Sequence, residues 1–288
     1  MKPAILLLSA ALLLPAGVMQ AQALKPRVRE VVAPSVQKEK FQLYLLVGQS
    51  NMAGRGVVEA QDTVPAPRVL RLNPAGQWEI AKDPLHFDKP VAGVGPGLSF
   101  GKVLAEQQPD VTIGLIPCAV GGSAISFWKP GAYYPPTKTK PYDEAIARAK
   151  VAMQQGTLAG IIWHQGESDS NPAGSQAYAQ ALTELIAQLR QDLQAPNVPF
   201  VAGQLPAFQI EKTDSLGHKT TNAAAVRVNA TIAALTRSVP HYAYVPAKGT
   251  HDIGDHIHLD AASARLMGQR YAQAMRKLQS RATLRKRL

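Results

Sequence analysis

Only one cysteine, Cys118, stands among the 288 residues, so no intramolecular disulfide can form and packing has to hold the chain together. Long apolar runs are missing too. The longest stretch, Ala4 to Met19, is too short and too lightly flanked for a membrane span. With Lys2 before it and Ala21-Gln22-Ala23 after it, the order is the charged, hydrophobic and small-residue order of a secretory signal peptide over 1–23. The expected product is secreted or periplasmic, cleaved near Ala23, and makes no stable membrane insertion afterwards. Acidic residues are in short supply, 20 against 31 Lys and Arg, for a net charge of +11. That balance suits nucleic acid or an anionic surface. About a quarter of the basic residues, however, lie from Arg265 onward, and residues 279–288 read as a solvated basic tail. No nucleic-acid partner is expected, and weak attraction to an anionic envelope or polysaccharide is the second reading.

Residues 24–40 are charged, contain two prolines and keep no period, as a linker would. From Phe41 the pattern changes. Five short apolar runs, 41–48, 68–73, 111–118, 158–166 and 198–205, alternate with segments of helical character at 96–108, 141–155, 174–194 and 221–237. Continuous apolar runs predict strands covered on both faces. Between 174 and 194, Tyr178, Leu182, Leu185, Ile186 and Leu189 recur three and four apart, which makes one helical stripe. A last helix is predicted over 261–278. Strands alternating with helices predict an α/β fold with a mainly parallel sheet, in one domain over 41–278.

In open parallel sheets, ligands bind at the carboxyl ends of the strands. The first apolar run stops at "GQSNMAGRG" with Ser50, the third at "PCAVGGSAISFW", and the fourth at "WHQGESDS". "THDIGDHIHLD" precedes the last helix. A serine is a weak nucleophile unless a histidine takes its proton and a third group orients that histidine. Asp255 and His258 are three apart, close enough for the carboxylate to reach one ring nitrogen while the other faces Ser50. The oxyanion needs donors. The Ser50 amide, a Gly121 or Gly122 amide and the Gln165 side chain are available.

Taken together and in order, "GQSNMAGRG", "PCAVGGSAISFW", "WHQGESD" and "DHIHLD" resemble the sialate O-acetylesterase and acetylxylan esterase group of the SGNH hydrolases, the carbohydrate esterase family 6 type. "VGPGLSFG" adds to the likeness, which runs from about Phe41 to Met275. The resemblance implies a three-layer, flavodoxin-like αβα sandwich on a five-stranded sheet. It also implies a serine esterase that removes acetyl groups from carbohydrate without a metal or other cofactor. Ser50 matches the family's nucleophile, and Asp255 and His258 match its Asp-x-x-His pair. Gln165 stands where the wider superfamily has asparagine.

Glu167 is read as an anchor for the Gln165 loop, with a supporting acid for His258 as the alternative. His251, Asp252, Asp255, His256 and His258 also have the composition of a metal site, but the serine reading accounts for more residues. His164 is read as packed, Asp169 as a helix cap or loop residue, and Trp128, Tyr133 and Tyr134 as either sugar-stacking or loop-packing groups. Arg55 and Arg227 are candidates for the cleft wall. The competing functions are a carbohydrate-binding protein without turnover and a serine esterase for other esters.

Overall fold

The apolar runs form the middle of a sheet with helices on both faces. The computed structural model describes residues 29–213 and 216–285, and the expected signal segment lies outside the described residues. In chain order the strands are β1 Phe41–Gly48, β2 Val69–Leu72, β3 Trp78–Ile80, β4 Thr112–Pro117, β5 Thr157–His164, β6 Phe200–Gly203, β7 Glu211–Thr213, β8 Lys219–Thr221 and β9 Tyr242–Val245. Seven of them make the main sheet in the order β3-β2-β4-β1-β5-β6-β9, and β7 pairs with β8 apart from it. Every neighbour in the main sheet is parallel except β2 and β3.

The expected count of five is therefore corrected to seven, with β3 and β9 added at the two edges. Both are short. β3 also carries Glu79, buried where Arg71 Nε and Asn73 Nδ2 each meet its carboxylate at 2.9 Å. A charge in a three-residue strand breaks the apolar run that would announce it. Outside β3 lies the described part of the expected linker 24–40. Arg29 donates to the carbonyls of Lys82 and Pro84, and Val32 N donates to Trp78 O. From Arg29 on, that segment covers an open sheet edge.

The helices are α1 Ser50–Ala53, α2 Ala60–Thr63, α3 Pro96–Gln107, α4 Pro141–Met153, α5 Pro172–Asp192, α6 Ala207–Ile210, α7 Ala223–Ala234 and α8 Ala261–Arg285. Because strand side chains alternate, β1 supplies two cores. Leu43, Leu45 and Val47 pack with the buried stripes of α4, α5 and α7. Tyr44 and Leu46 pack with Leu98 and Phe100 of α3 and Met267, Tyr271 and Met275 of α8. Helix α8 continues past the expected end at Leu278 through residues that include neither glycine nor proline. Gln279 holds it there, donating to Tyr44 Oη and Ala159 O.

From β1 the chain crosses to one side, laying down β2 and the edge strand β3 before returning to β4 beside β1, and resumes on the other side at β5. The carboxyl end of β1 is thus a topological switch point, where such sheets leave a crevice. Among the described residues no helix is long and apolar enough to cross a membrane.

Candidate active site

Strand β1 ends on Gly48 at φ +131°, and a Cβ there would stand 2.1 Å from the His164 carbonyl oxygen. Only glycine allows both the backbone angle and the approach of β5. Gln49 N then donates to that carbonyl at 2.9 Å, and Ser50 opens the single turn of α1. On the other flank Val120 N donates to Gly48 O at 2.9 Å, which ties the loop after β4 to the same end.

Ser50 Oγ lies 3.1 Å from His258 Nε2, and His258 Nδ1 lies 2.6 Å from Asp255 Oδ2. The other Asp255 oxygen accepts from Ile257 N at 2.9 Å and His258 N at 2.8 Å. Partial burial alone would raise the Asp255 pKa, but the hydrogen bonds from the His258 backbone, the His258 ring and Ile257 outweigh it and hold it below the usual value. The carboxylate therefore stays charged beside the ring. All three sequence-predicted residues meet, with Ser50 and His258 at the wall of a cavity of about 540 Å³.

Two of the expected oxyanion donors are engaged in other hydrogen bonds. Gln165 is fully buried and its side chain is occupied, with Oε1 accepting from Tyr178 Oη at 3.0 Å and Nε2 donating to Asp169 and to Gln49 Oε1. The Gly121 amide is occupied too, donating to Asp88 Oδ2 at 2.8 Å. Gly122, at φ +84°, lines the cavity, and among the described residues neither its amide nor that of Ser50 meets an acceptor. Gln49, absent from the expected site, also lies here. Gln49 Oε1 accepts from Gln165 Nε2 and Ser168 N, which leaves its Nε2 as the free end at the cavity wall. Its signal was its place directly before Ser50.

Asn51 was missed as well, and it lies directly after Ser50. Its Oδ1 accepts from Leu259 N at 2.9 Å, and its Nδ2 donates to Ile257 O at 3.0 Å and Glu167 Oε1 at 2.6 Å. Gln209 Nε2 donates to the same Ile257 carbonyl. Glu167 is thus not an acid on His258, whose Nδ1 is taken by Asp255, and its bond to Asn51 ties the Gln165 loop to the segment after Ser50. It holds Asn51. Asp169 anchors the same loop, accepting from Gln165 Nε2 and Ile125 N.

Trp128 is 1% exposed, edge-on to Trp163, and donates to Ser123 Oγ, so it is core. Tyr134 packs on Phe127, while Tyr133 and Arg227 lie on the surface away from the cavity. Arg55 does line the cavity, ion-paired to Asp88 at 2.9 Å. His164 is buried against Tyr271, and burial lowers its pKa to about 4. Asp252 caps the amides of Gly254 and His256. Among the described residues no three His, Cys, Asp or Glu side chains converge as a metal site requires.

Residues 40–277 match the family model of the sialic acid-specific acetylesterases, a group of carbohydrate esterases. A probable carbohydrate esterase of Arabidopsis thaliana is 32% identical over 198 residues, 62% of this chain and 71% of the relative. The crystal structure of that Arabidopsis protein aligns with a TM-score of 0.69 at 28% identity, covering 82% of this chain and 98% of its own. The fold is also that of NanS (TM-score 0.63, 16% identity, 85% of this chain and 99% of that one). It recurs in a carbohydrate acetylesterase of Xanthomonas citri (TM-score 0.62, 20% identity, 83% of this chain and 56% of that one). A family match that spans the sheet from β1 to α8, with a relative of this identity over most of its length, makes the chain a carbohydrate esterase of the sialic acid-specific acetylesterase family.

Proposed function

We propose that the enzyme hydrolyses O-acetyl esters on carbohydrate through an acetyl-enzyme at Ser50. The observation that carries the reading is the unbroken chain from Ser50 Oγ to His258 to Asp255 at 3.1 and 2.6 Å. His258 Nε2 takes the hydroxyl proton as Ser50 Oγ bonds to the acetyl carbon, and Asp255 stabilises the imidazolium. The carbonyl oxygen gains negative charge and is met by the amides of Ser50 and Gly122 and by Gln49 Nε2. As the bond from acetyl carbon to sugar oxygen breaks, the proton passes from His258 to the departing sugar hydroxyl. Water then repeats the cycle and frees acetate. The test is acetate release from O-acetyl sialic acid and from acetylated xylan by the wild type and by Ser50→Ala. Equal release by the two proteins would end the reading.

The donor assignment has its own check. Gln49→Ala should lower kcat by about a hundredfold, as loss of a single oxyanion donor does, and an unchanged kcat would remove Gln49 from the step.

Among these acetyl sugars the cleft favours one with a negative charge. Lys89 lines it, and among the described residues no ion-pair partner stands beside it; its Nζ lies 4.0 Å from where a Cβ on Gly122 would be. A sugar carboxylate there gains a charge-assisted hydrogen bond of roughly 1.5–3 kcal/mol. Lys89→Gln should therefore raise KM for O-acetyl sialic acid about tenfold or more and leave acetylated xylan nearly unchanged. Equal effects on both substrates would place Lys89 outside substrate recognition. The order of Lys2, the apolar segment and Ala21-Gln22-Ala23 supports export, with the mature chain beginning near Leu24.

A further inference from the structure

The loop after β4 carries two adjacent glycines, Gly121 and Gly122, the residue type with the most backbone freedom to lose. An oxyanion donor works best when it is aimed before the reaction begins, so this freedom has to be removed. Two side chains do it. Gly121 N donates to Asp88 Oδ2 at 2.8 Å, and Ser168 Oγ donates to Gly122 O at 3.0 Å. One bond holds the peptide unit before the unit that contains Gly122 N, and the other holds the unit after it.

Within that middle unit, Tyr134 Oη lies 3.4 Å from Gly121 O. A planar trans peptide points its C=O and N–H opposite ways, so Gly122 N faces away from Tyr134. Asp88 is held in turn. Arg55 Nη2 meets the same Oδ2 at 2.9 Å, with both side chains almost fully buried, and Arg55 Nη1 donates to Gly54 O at 2.7 Å. Arg55 lies just beyond α1, the turn that Ser50 opens. Its guanidinium also lies against Gly121, where a Cβ would collide with Nη2 and displace the pair.

We propose that Asp88 and Ser168 are positioning residues for the oxyanion: they pin the glycine pair from both sides and aim the Gly122 amide at the acetyl oxygen, while Arg55 ties Asp88 to the Ser50 turn. Both act through the loop and not on the acetyl group. With the units on either side fixed, the Gly122 amide is the donor left to meet the developing charge. The proposal rests on the esterase reading and on Gly122 as one of its donors.

The test reads the loop and the rate separately. With glycine-selective isotope labelling, NMR relaxation should give the Gly122 amide an order parameter of about 0.85 in the wild type and below about 0.6 in Asp88→Ala. On p-nitrophenyl acetate, Asp88→Ala should lose about a hundredfold in kcat, the scale of one oxyanion donor, with KM little changed. Both donors to Asp88 meet one oxygen, so Asp88→Asn can keep both bonds and should recover most of that loss. Ser168→Ala should also loosen the Gly122 amide and lower kcat roughly fivefold, the worth of one hydrogen bond, and it carries the test if Asp88→Ala does not fold. A Gly122 amide equally rigid in wild type and variants overturns the proposal, as does one already mobile in the wild type. So does an asparagine variant as slow as the alanine variant, or a loss confined to KM. A loop that is rigid in the wild type and loosened by Asp88→Ala, in a protein that releases no acetate from any ester, would sink the esterase reading alone.

Discussion

Replacing Ser50 with alanine should lower kcat for acetyl-ester hydrolysis by on the order of a thousandfold or more, because nucleophile and base act as one unit. The mutation removes the atom that bonds to the acetyl carbon and leaves the cavity wall otherwise intact. KM should move little. Ser50 is 5% exposed and its Oγ has a single partner, His258 Nε2, so the fold should survive the loss. Thermal melting checks that, and acetate release checks the rate. A serine-directed fluorophosphonate adds a second readout, since wild type should gain one covalent adduct by mass and Ser50→Ala none. An adduct on the alanine variant would direct the search to another nucleophile.

Asp255→Asn should cost ~10³ to 10⁴ in kcat, the range known for orienting carboxylates in such sites. The reason lies in both oxygens. Oδ1 accepts two backbone amides, from Ile257 and His258, so the asparagine keeps its oxygen there and turns its NH₂ toward His258. An NH₂ facing Nδ1 makes that nitrogen the acceptor and moves the ring proton to Nε2. The ring then points a donor at Ser50 and cannot take its proton. The substitution keeps size and most bonds, so the melting temperature should stay close to wild type while kcat collapses. Retention of most activity would mean that Asp255 does not orient the base.

The sequence makes some of this plain and hides the rest for physical reasons. The residues of the Ser50, His258 and Asp255 chain were legible because each sits at the end of an apolar run or before a helix, and two of them lie within one turn. The five inner strands were legible because both their faces are covered. Strands β3 and β9 were not, since edge strands are short and partly exposed, and Glu79 is neutralised by a partner eight positions away. The donors fared worst. Gln165 carries the residue type and place expected of a donor, yet Tyr178 and Asp169 claim its amide, and nothing in the spacing of these residues shows which way the three side chains turn. Gly121 and Gly122 read alike, and only Asp88, a loop residue without any motif, separates them. Trp128 fitted a platform for sugar and a packed loop equally well, and it is core because Trp163 stands behind it.

Ser50 and His258 are 208 positions apart, and Asn51, the residue next to the serine, bonds the peptide groups on both sides of the histidine. In a machinist's terms the two working parts are gauged from one reference point, so small shifts in the many segments between them do not add up at the reacting pair. Loops elsewhere on the rim can then lengthen or change shape, altering which sugar reaches the serine, while the spacing that drives the chemistry stays set by a single side chain.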